Sequence, residues 1–200
     1  MVKHYQKASF LLSVADINQL PSDQGIEVAI VGSSNAGKSS ILNRLTQNKQ
    51  LARVSKTPGR TQLLNMFGLD DERRLVDLPG YGYAKAPLTQ KRKWEKTINE
   101  YFEIRESLKG LILVMDIRHP FKPLDHQLLM YCEHRQLPVH IVLNKMDKLT
   151  NQQVATTFKE AAKVLTEYTN SVTFQGSSAL KNKGMEELRA KLDEWYQFDY

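Results

Sequence analysis

Eight consecutive residues, Gly32 to Ser39, have the types and spacing that could hold a chain of phosphates. They fit the pattern G-x-x-x-x-G-K-[ST] and directly follow the apolar run Val28 to Val31. Backbone N–H groups at a helix start and the Lys38 ammonium suit the negative charge of phosphates. The Ser39 hydroxyl is suited to ligate a Mg²⁺ ion that bridges two phosphates. The predicted phosphate-binding residues are Gly32, Ser33, Ser34, Asn35, Ala36, Gly37, Lys38, Ser39 and Ser40.

A second group, Asp77, Leu78, Pro79 and Gly80, could sense the terminal phosphate. Asp77 ends a short apolar run, from which its carboxylate can reach Mg²⁺ through a water. The Gly80 N–H can bind a γ-phosphate. Alone, D-x-x-G is most often a plain turn, and its weight comes from its order and distance after the first motif.

A third group could select the base. Asp147 is acceptor-only when ionised and can take the N1–H and N2 hydrogens of guanine, whereas adenine presents an acceptor at N1. Asn144 follows an apolar run, at a strand end where ligands bind in open α/β sheets. The predicted guanine site is Asn144, Lys145, Met146 and Asp147, with Ser177, Ser178 and Ala179 offering a backbone N–H to the guanine O6. The three groups together predict binding of GTP and GDP.

The elements that position these groups alternate between strands and helices, which predicts an α/β domain with a mostly parallel sheet. The predicted strands are Glu27–Val31, 63–69, Leu75–Asp77, Leu108–Asp116, Val139–Asn144 and Ser171–Phe174. Helical apolar faces are predicted at Ile41/Leu42/Leu45, Trp94/Ile98/Tyr101/Phe102, Leu128/Leu129/Cys132, Val154/Phe158/Ala161/Leu165 and Met185/Leu188/Leu192/Trp195. Thr150 and Gln153 predict a capping box. We expect residues 1–24 to form an N-terminal extension and residues 25–200 one GTPase domain.

Composition narrows the class of protein. In 200 residues, 28 Lys and Arg oppose 22 Asp and Glu, so the net charge is +6 and favours a polyanionic partner such as RNA. Cys132 is the only cysteine, which excludes an intramolecular disulfide. The run Phe10–Val14 is too short for an export signal, and no run is long enough to span a membrane. We expect a cytoplasmic monomer without zinc.

Further segments carry a family resemblance. They are Gly32–Ser40, Lys56–Gln62, Asp77–Ala84 and Met115–Pro120. On these motifs the chain resembles the translation-factor-like GTPases and, within them, the EngB (YihA/YsxC) family. The resemblance implies a P-loop GTPase fold with a six-stranded, mostly parallel sheet flanked by helices. It also implies a role in assembly of the large ribosomal subunit and a link to cell division and septation.

The resemblance further implies a switch segment that closes over the phosphates, made of Gly59, Arg60, Thr61, Gln62 and Leu63. Thr61 would ligate Mg²⁺ when GTP is bound, as a second metal ligand beside Ser39. From the residues alone Thr57 is a rival for that role, because Pro58-Gly59 predicts a turn between the two threonines. Ser33 stands where the family would have Arg, which concerns a peripheral contact.

Catalysis of hydrolysis is predicted to rest on Lys38, Thr61, Asp77, Gly80 and Asn35. Tyr81 follows Gly80, where many small GTPases carry a water-orienting Gln, so we expect a low intrinsic rate, on the order of 10⁻⁴ to 10⁻² s⁻¹. Tyr81 is expected to turn away into a hydrophobic contact. The resemblance suggests Asn35 as a K⁺ ligand, and the alternative is an Asn that only hydrogen-bonds the loop.

Two functions from different classes remain open at this point. The first is an assembly GTPase that docks on ribosomal RNA through a basic cluster, Lys85, Lys91, Arg92, Lys93 and Lys96. The second is a nucleotide-gated scaffold for division proteins with incidental hydrolysis. A nucleotide kinase is disfavoured by the guanine set.

Overall fold

Short runs of apolar, often β-branched residues form the strands, as their propensity predicts. The computed structural model describes residues 2–49, 51, 63–82, 88–169 and 171–198, and only the backbone at 2, 3, 88, 90, 91 and 93. Within these residues the strands are β1 (Ser9–Val14), β2 (Ile26–Gly32), β3 (Leu64–Gly68), β4 (Arg73–Asp77), β5 (Leu108–Asp116), β6 (Val139–Asn144) and β7 (Val172–Gly176).

The strands form one sheet in the order β1-β3-β4-β2-β5-β6-β7. Strands β4, β2, β5, β6 and β7 are parallel, and β3 runs against both β4 and β1. The mostly parallel α/β sheet is therefore confirmed. Because the parallel strands point the same way, the segments that follow them all emerge at one edge, where ligands bind in such sheets.

The predicted number of six strands is wrong, because β1 adds a seventh within the described residues. It is an edge strand whose first residues are exposed, so it lacks the alternating pattern that marks a half-buried strand. Its pairing with β3, such as Val14 with Leu64, joins residues fifty positions apart. The division at residue 24 between an extension and a GTPase domain stays a prediction.

Over the described part of the chain, helices with defined bounds are α1 (Val2–Gln6), α2 (Lys38–Thr46), α3 (Leu88–Ile104), α4 (Pro123–His134), α5 (Asn151–Leu165) and α6 (Met185–Tyr196), with 3₁₀ turns at Ile17–Gln19 and Met146–Lys148. The predicted capping box is confirmed, since Gln153 N donates to Thr150 Oγ1 at 3.3 Å. Cys132 is buried on α4, and burial raises the pKa of its thiol to about 12.

Side chains of β2 alternate between two apolar clusters, one on each face of the sheet. Val28 and Ile30 pack with α2 and α6, while Ala29 and Val31 pack with α3 and α4. The five helices with a predicted apolar face pack that face against the sheet. Helix α6 differs from the prediction at one position. The predicted core residue Trp195 is only half-buried, whereas its neighbour Tyr196 is fully buried.

The C-terminal end of α3 is fixed at the edge of the sheet opposite the predicted site. Glu27 is fully buried and accepts hydrogen bonds from Tyr101 Oη at 2.9 Å and Arg105 Nε at 3.1 Å. Arg74 Nε donates to the same carboxylate at 3.1 Å. The Glu27 carboxylate is therefore held in one position, because loss of any of these donors would leave a buried charge short of a hydrogen-bond partner.

Candidate nucleotide-binding site

The segment between β2 and α2 has the tight backbone that a phosphate cradle requires. Asn35 has φ +64° and Gly37 has φ +98°, both in the left-handed region. A Cβ on Gly37 would lie 2.3 Å from Asn144 Nδ2, so only glycine fits there. The first N–H groups of α2 have no intrahelical acceptor and are available to an anion.

Lys38 and Asp77 meet at the mouth of this cradle. Lys38 Nζ donates to Asp77 Oδ1, and the two side chains are 14% and 2% exposed. The first and second predicted motifs are thus brought together across 39 positions of sequence. The pairing leaves a carboxylate and an ammonium at the point where phosphates and a metal ion would bind.

The D-x-x-G segment is joined to the P-loop by its backbone. Ser34 N donates to Tyr81 O at 2.6 Å, and Tyr81 N donates to Gly32 O at 3.3 Å. Leu78 N donates to Ile30 O at 2.9 Å, which extends the pairing of β4 with β2. A shift of Gly80 toward a γ-phosphate would therefore also displace Tyr81 and the P-loop backbone that is hydrogen-bonded to it.

Tyr81 is turned away from the cleft, as predicted, but its contact is polar as well as apolar. The residue is 4% exposed, and its ring centroid lies 5.3 Å from that of Trp94. Its hydroxyl donates to Asp125 Oδ1 on α4. Burial, with Asp125 beside it, raises the pKa of Tyr81 well above its ordinary value. The phenol therefore stays protonated and fixed.

Asn144 links three segments of the predicted site. Its Nδ2 donates to Ala36 O at 3.0 Å in the P-loop. Its Oδ1 accepts from Ser177 Oγ and from Ala179 N, both at 3.2 Å. This buried side chain holds the guanine loops against the phosphate cradle.

Asp147 is held with its carboxylate beside the Ser178 hydroxyl. Ser178 Oγ donates to Asp147 Oδ1 at 2.5 Å, and Lys148 Nζ lies 3.8 Å from Oδ2. The Ser178 hydrogen bond holds the pKa of Asp147 below its ordinary value. The residue as a whole is exposed, but its side chain is only 11% exposed. The ionised carboxylate is thus ready to accept further N–H donors.

A cleft of about 880 Å³ lies between α2 and these loops. Gly37, Asn144, Lys145, Asp147 and Ala179 are among the residues that line it. The start of α2 and several of the predicted base residues thus open into one cavity.

Comparisons with known proteins identify the family. Residues 27–145 match the profile described as 50S ribosome-binding GTPase, and residues 98–197 match the elongation factor Tu GTP binding domain. An EngB GTP-binding protein of Pseudoalteromonas atlantica is 51% identical over 197 residues, which is 98% of this chain and 96% of the relative. The chain belongs to the EngB family. It is a GTP-binding protein and a GTPase.

Solved structures give the same fold. A crystal structure of an EngB GTP-binding protein has a TM-score of 0.68 at 22% identity and covers 86% of this chain and 98% of that one. Era in complex with MgGDPNP and nucleotides 1506–1542 of 16S ribosomal RNA has a TM-score of 0.62 at 24% identity, covering 86% and 57%. At these identities the likeness shows the P-loop GTPase fold alone.

Part of the predicted EngB site falls outside the described residues. These positions are Gly59, Arg60, Thr61 and Gln62, and the rival Thr57. Of the predicted switch segment only Leu63, half-buried before β3, is described. Among described residues no group of three or more His, Cys, Asp or Glu could hold a metal ion, and no helix has the length and apolar character to cross a membrane.

The residues present fit a Mg²⁺ ion bound together with phosphates. Such an ion takes one or two protein oxygens and completes its shell with phosphate and water. Ser39 stands in the first turn of α2, and the Asp77 carboxylate is held beside the neighbouring Lys38. These two oxygens are the candidates on the described part of the chain.

Two contacts of this EngB site were missed from the sequence. Arg44 Nε donates to Ala179 O at 2.8 Å and so ties the base loop to α2. Asp116 accepts from Lys145 Nζ at 2.9 Å. Asp116 could have been found, because it ends a parallel strand as Asp77 and Asn144 do. Nothing in the sequence around Arg44 indicates its role.

Proposed function

We propose that this GTPase is a slow, Mg²⁺-dependent switch in assembly of the large ribosomal subunit, docking on ribosomal RNA when GTP is bound. The observation that carries the proposal is the hydrogen bond from Trp94 Nε1 to Pro79 O at 2.7 Å. It connects the D-x-x-G segment to α3, the helix that holds most of the basic cluster. The match to a family described as 50S ribosome-binding GTPase supports it, and the complex of Era with 16S ribosomal RNA supports the docking on RNA alone.

Nucleotide binding is assigned to the phosphate and base residues predicted from the sequence, some of which line the cleft. Lys38 and the amides at the start of α2 take the β- and γ-phosphates, and Ser39 and Thr61 ligate Mg²⁺. Asp147 takes the N1–H and N2 hydrogens of guanine. Ala179 N–H, whose bond to Asn144 Oδ1 is long at 3.2 Å, is shared with the guanine O6.

GTP hydrolysis rests mainly on stabilisation of the charge on the transferred phosphoryl group. Positioning of the attacking water contributes little. A Mg²⁺ ion held by Ser39 and Thr61 would neutralise part of the phosphate charge. Lys38 and the P-loop amides stabilise charge on the transferred group, and Gly80 N–H orients it. Tyr81 is directed at Asp125 and offers no group to orient water, so the intrinsic rate is low. A K⁺ ion held by Asn35 would add charge at this point.

Movement of the D-x-x-G segment is transmitted to α3 because the helix is joined to that segment near one end and fixed to the sheet at the other. Near its N-terminal end Trp94 bonds Pro79, and at its C-terminal end Arg105 and Tyr101 bond Glu27. When the γ-phosphate draws Gly80 toward it, the N-terminal part of α3 shifts while the far end acts as the pivot. Such linkage makes RNA affinity depend on the nucleotide.

The surface of α3 suits RNA phosphates where its side chains are described. Arg92 and Lys96 are exposed, on the side opposite the buried Ile98 and Phe102. Lys96 has one weak partner, Glu100, at 3.6 Å. The side chains of Lys91 and Lys93, and all of Lys85, lie outside the described residues.

The experiment is sedimentation of the protein with large ribosomal subunits in GDP, GTP and a non-hydrolysable analogue, across a salt series. The test variant carries Arg92→Glu and Lys96→Glu. The matched control carries Lys159→Glu and Lys163→Glu on α5, also exposed and four positions apart. Each pair of reversals lowers the net charge by four, from +6 to +2.

We expect wild type and the control to sediment with subunits in GTP and the test variant to be released. Each lost phosphate contact removes roughly 0.7–0.9 from the slope of log affinity against log salt, so the test variant should lose about 1.5. Equal losses in the two variants would mean that general charge, and not α3, holds the RNA. Retained binding of a protein partner with no RNA affinity would instead favour the division scaffold.

A further inference from the structure

The segment Met115–Pro120 is part of the family pattern, but the nucleotide site described above gives it no role. It contains the end of β5, in the middle of the sheet. Asp116, its second residue, lies in register beside Asn144 on β6. Ile117 N donates to Asn144 O at 2.9 Å, which fixes the turn to the guanine loop.

The Asp116 carboxylate is the centre of an ion-pair cluster. Lys145 Nζ donates to Oδ2 at 2.9 Å, and Arg118 Nη2 donates to the same oxygen at 2.7 Å. Arg118 also donates to Oδ1 from Nε at 3.0 Å and from its backbone N at 3.1 Å. Burial alone would raise the pKa of Asp116, but the bonds from Arg118 and Lys145 outweigh it and hold the pKa well below its ordinary range. The carboxylate is therefore ionised and fixed on two sides.

Lys145 is held at its other side by the P-loop. Its Nζ donates to Asn35 O at 2.5 Å as well as to Asp116. Its methylene stem lines the cleft, with Cε 3.9 Å from the place where a Cβ on Gly37 would be. The Lys145 ammonium thus bridges the end of β5 and the phosphate cradle. The methylene stem of Lys145 lies along one side of the cleft.

The Lys145 side chain requires a stabilising contact to stay in this position. Lys145 has φ +74°, a conformation that lysine rarely adopts, so the backbone alone does not favour it. A free ammonium this close to the cradle would be drawn to the phosphates, which carry the stronger negative charge. Asp116 supplies the competing negative charge, while Arg118, with a side chain 42% exposed, keeps Asp116 in place.

We propose that Asp116 is a positioning residue for guanine nucleotides, which holds Lys145 so that its stem forms one face of the base pocket. Arg118 acts one step further out by orienting the Asp116 carboxylate. The inference rests on the nucleotide site proposed above and gives the Met115–Pro120 segment its role. It predicts that loss of Asp116 weakens binding at the base end of the nucleotide and does not weaken binding at the phosphate end.

The test is a double-mutant cycle read out by the dissociation rate of fluorescent GDP. Asp116→Asn removes the charge and keeps the shape, and Lys145→Met removes the ammonium and keeps the stem. We expect Asp116→Asn to speed GDP dissociation roughly tenfold, as the loss of a charged hydrogen bond would. In the Lys145→Met background the same change should add almost nothing, because Asp116 acts through Lys145.

Two competing ligands, guanosine and pyrophosphate, show at which end of the nucleotide the substitution weakens binding. Guanosine should bind Asp116→Asn less well than wild type by a similar factor, whereas pyrophosphate with Mg²⁺ should compete at least as well against the variant, because the Lys145 ammonium is then free to approach the phosphates. The matched control is Asp23→Asn at the other end of β5, where a carboxylate pairs with Arg105 at 3.5 Å and accepts from Ser107 N at 3.0 Å. This control should leave GDP dissociation unchanged.

Additive effects in the cycle, or unchanged guanosine binding, would overturn the inference. If Asp116→Asn does not fold, Asp116→Glu keeps the charge but moves it by one methylene, and it should speed dissociation by a smaller factor that is again lost in Lys145→Met. Failure of the wild type to bind GDP would instead contradict the nucleotide site itself. The two failures are thus distinguishable.

Discussion

Replacement of Asp147 by Asn should change the preferred base from guanine to xanthine. In the structure Ser178 Oγ occupies one acceptor position of Oδ1, at 2.5 Å. A carboxylate has about four lone-pair positions, so room remains for both donors of guanine, N1–H and N2–H. The new amide can still accept from Ser178 and from N1–H, but it would face the guanine amino group with its own N–H.

The size of the change follows from the bonds lost. The hydrogen bond to N2–H is lost, and a hydrogen bond to a charged group contributes about 1.5–3 kcal/mol, whereas the bond to N1–H is kept with a neutral oxygen as its acceptor. GDP should therefore bind the variant roughly 10–10²-fold more weakly. XDP should gain, because the amide N–H can donate to the O2 carbonyl that replaces the amino group, whereas the wild-type carboxylate repels it.

The assay is titration of labelled GDP and XDP against wild type and Asp147→Asn, with ADP as competitor. Ser178→Ala is the matched control, since it removes the hydroxyl that holds Asp147 but keeps the carboxylate. It should weaken GDP binding without a change of base preference. A variant of Asp147 that still prefers GDP would refute the assigned role, and so would displacement of either nucleotide by ADP.

Two further predictions concern the phosphate end. GTP turnover should rise when K⁺ replaces Na⁺ at constant ionic strength, which excludes general screening, and Asn35→Ala should abolish most of the difference; equal rates in both salts would leave Asn35 with its loop-bonding role. Tyr81→Phe should lower the free energy of unfolding by about 1–3 kcal/mol in urea titrations, because it leaves the buried Asp125 carboxylate short of a donor. An unchanged urea midpoint would mean that water replaces the phenol there.

The sequence predicted well wherever the deciding pattern was local. Strand β2 followed by Gly32–Ser39 and helix α2 is one continuous segment, and its period and turn residues state its conformation. The capping box of Thr150 and Gln153 spans only four residues and is present. The same reasoning failed for β1, because an exposed edge strand is specified by its partner and not by its own alternation.

Prediction of the candidate site ended where contacts became non-local. Arg44 meets the carbonyl of Ala179 across 135 positions of sequence, and Lys145 meets that of Asn35 across 110. In both contacts a side chain bonds a backbone carbonyl, which every residue possesses, so the acceptor leaves no mark in the sequence. Contacts with backbone acceptors therefore cannot be found from the sequence, whereas the contact of Lys145 with Asp116 was missed although a carboxylate at a strand end is detectable.

The edge of the sheet explains why so few residues connect the whole site. Strands β2, β4, β5 and β6 end beside one another, and at the end of each strand lies a polar residue or a polar loop. These are the P-loop, Asp77, Asp116 and Asn144. Since neighbouring parallel strands lie about 4.8 Å apart, one lysine side chain can span from β5 to the P-loop. A nucleotide that binds along this edge lies beside three of these groups and meets the fourth, Asp116, only through Lys145, so Asp116 can affect the base pocket without any rearrangement of the core.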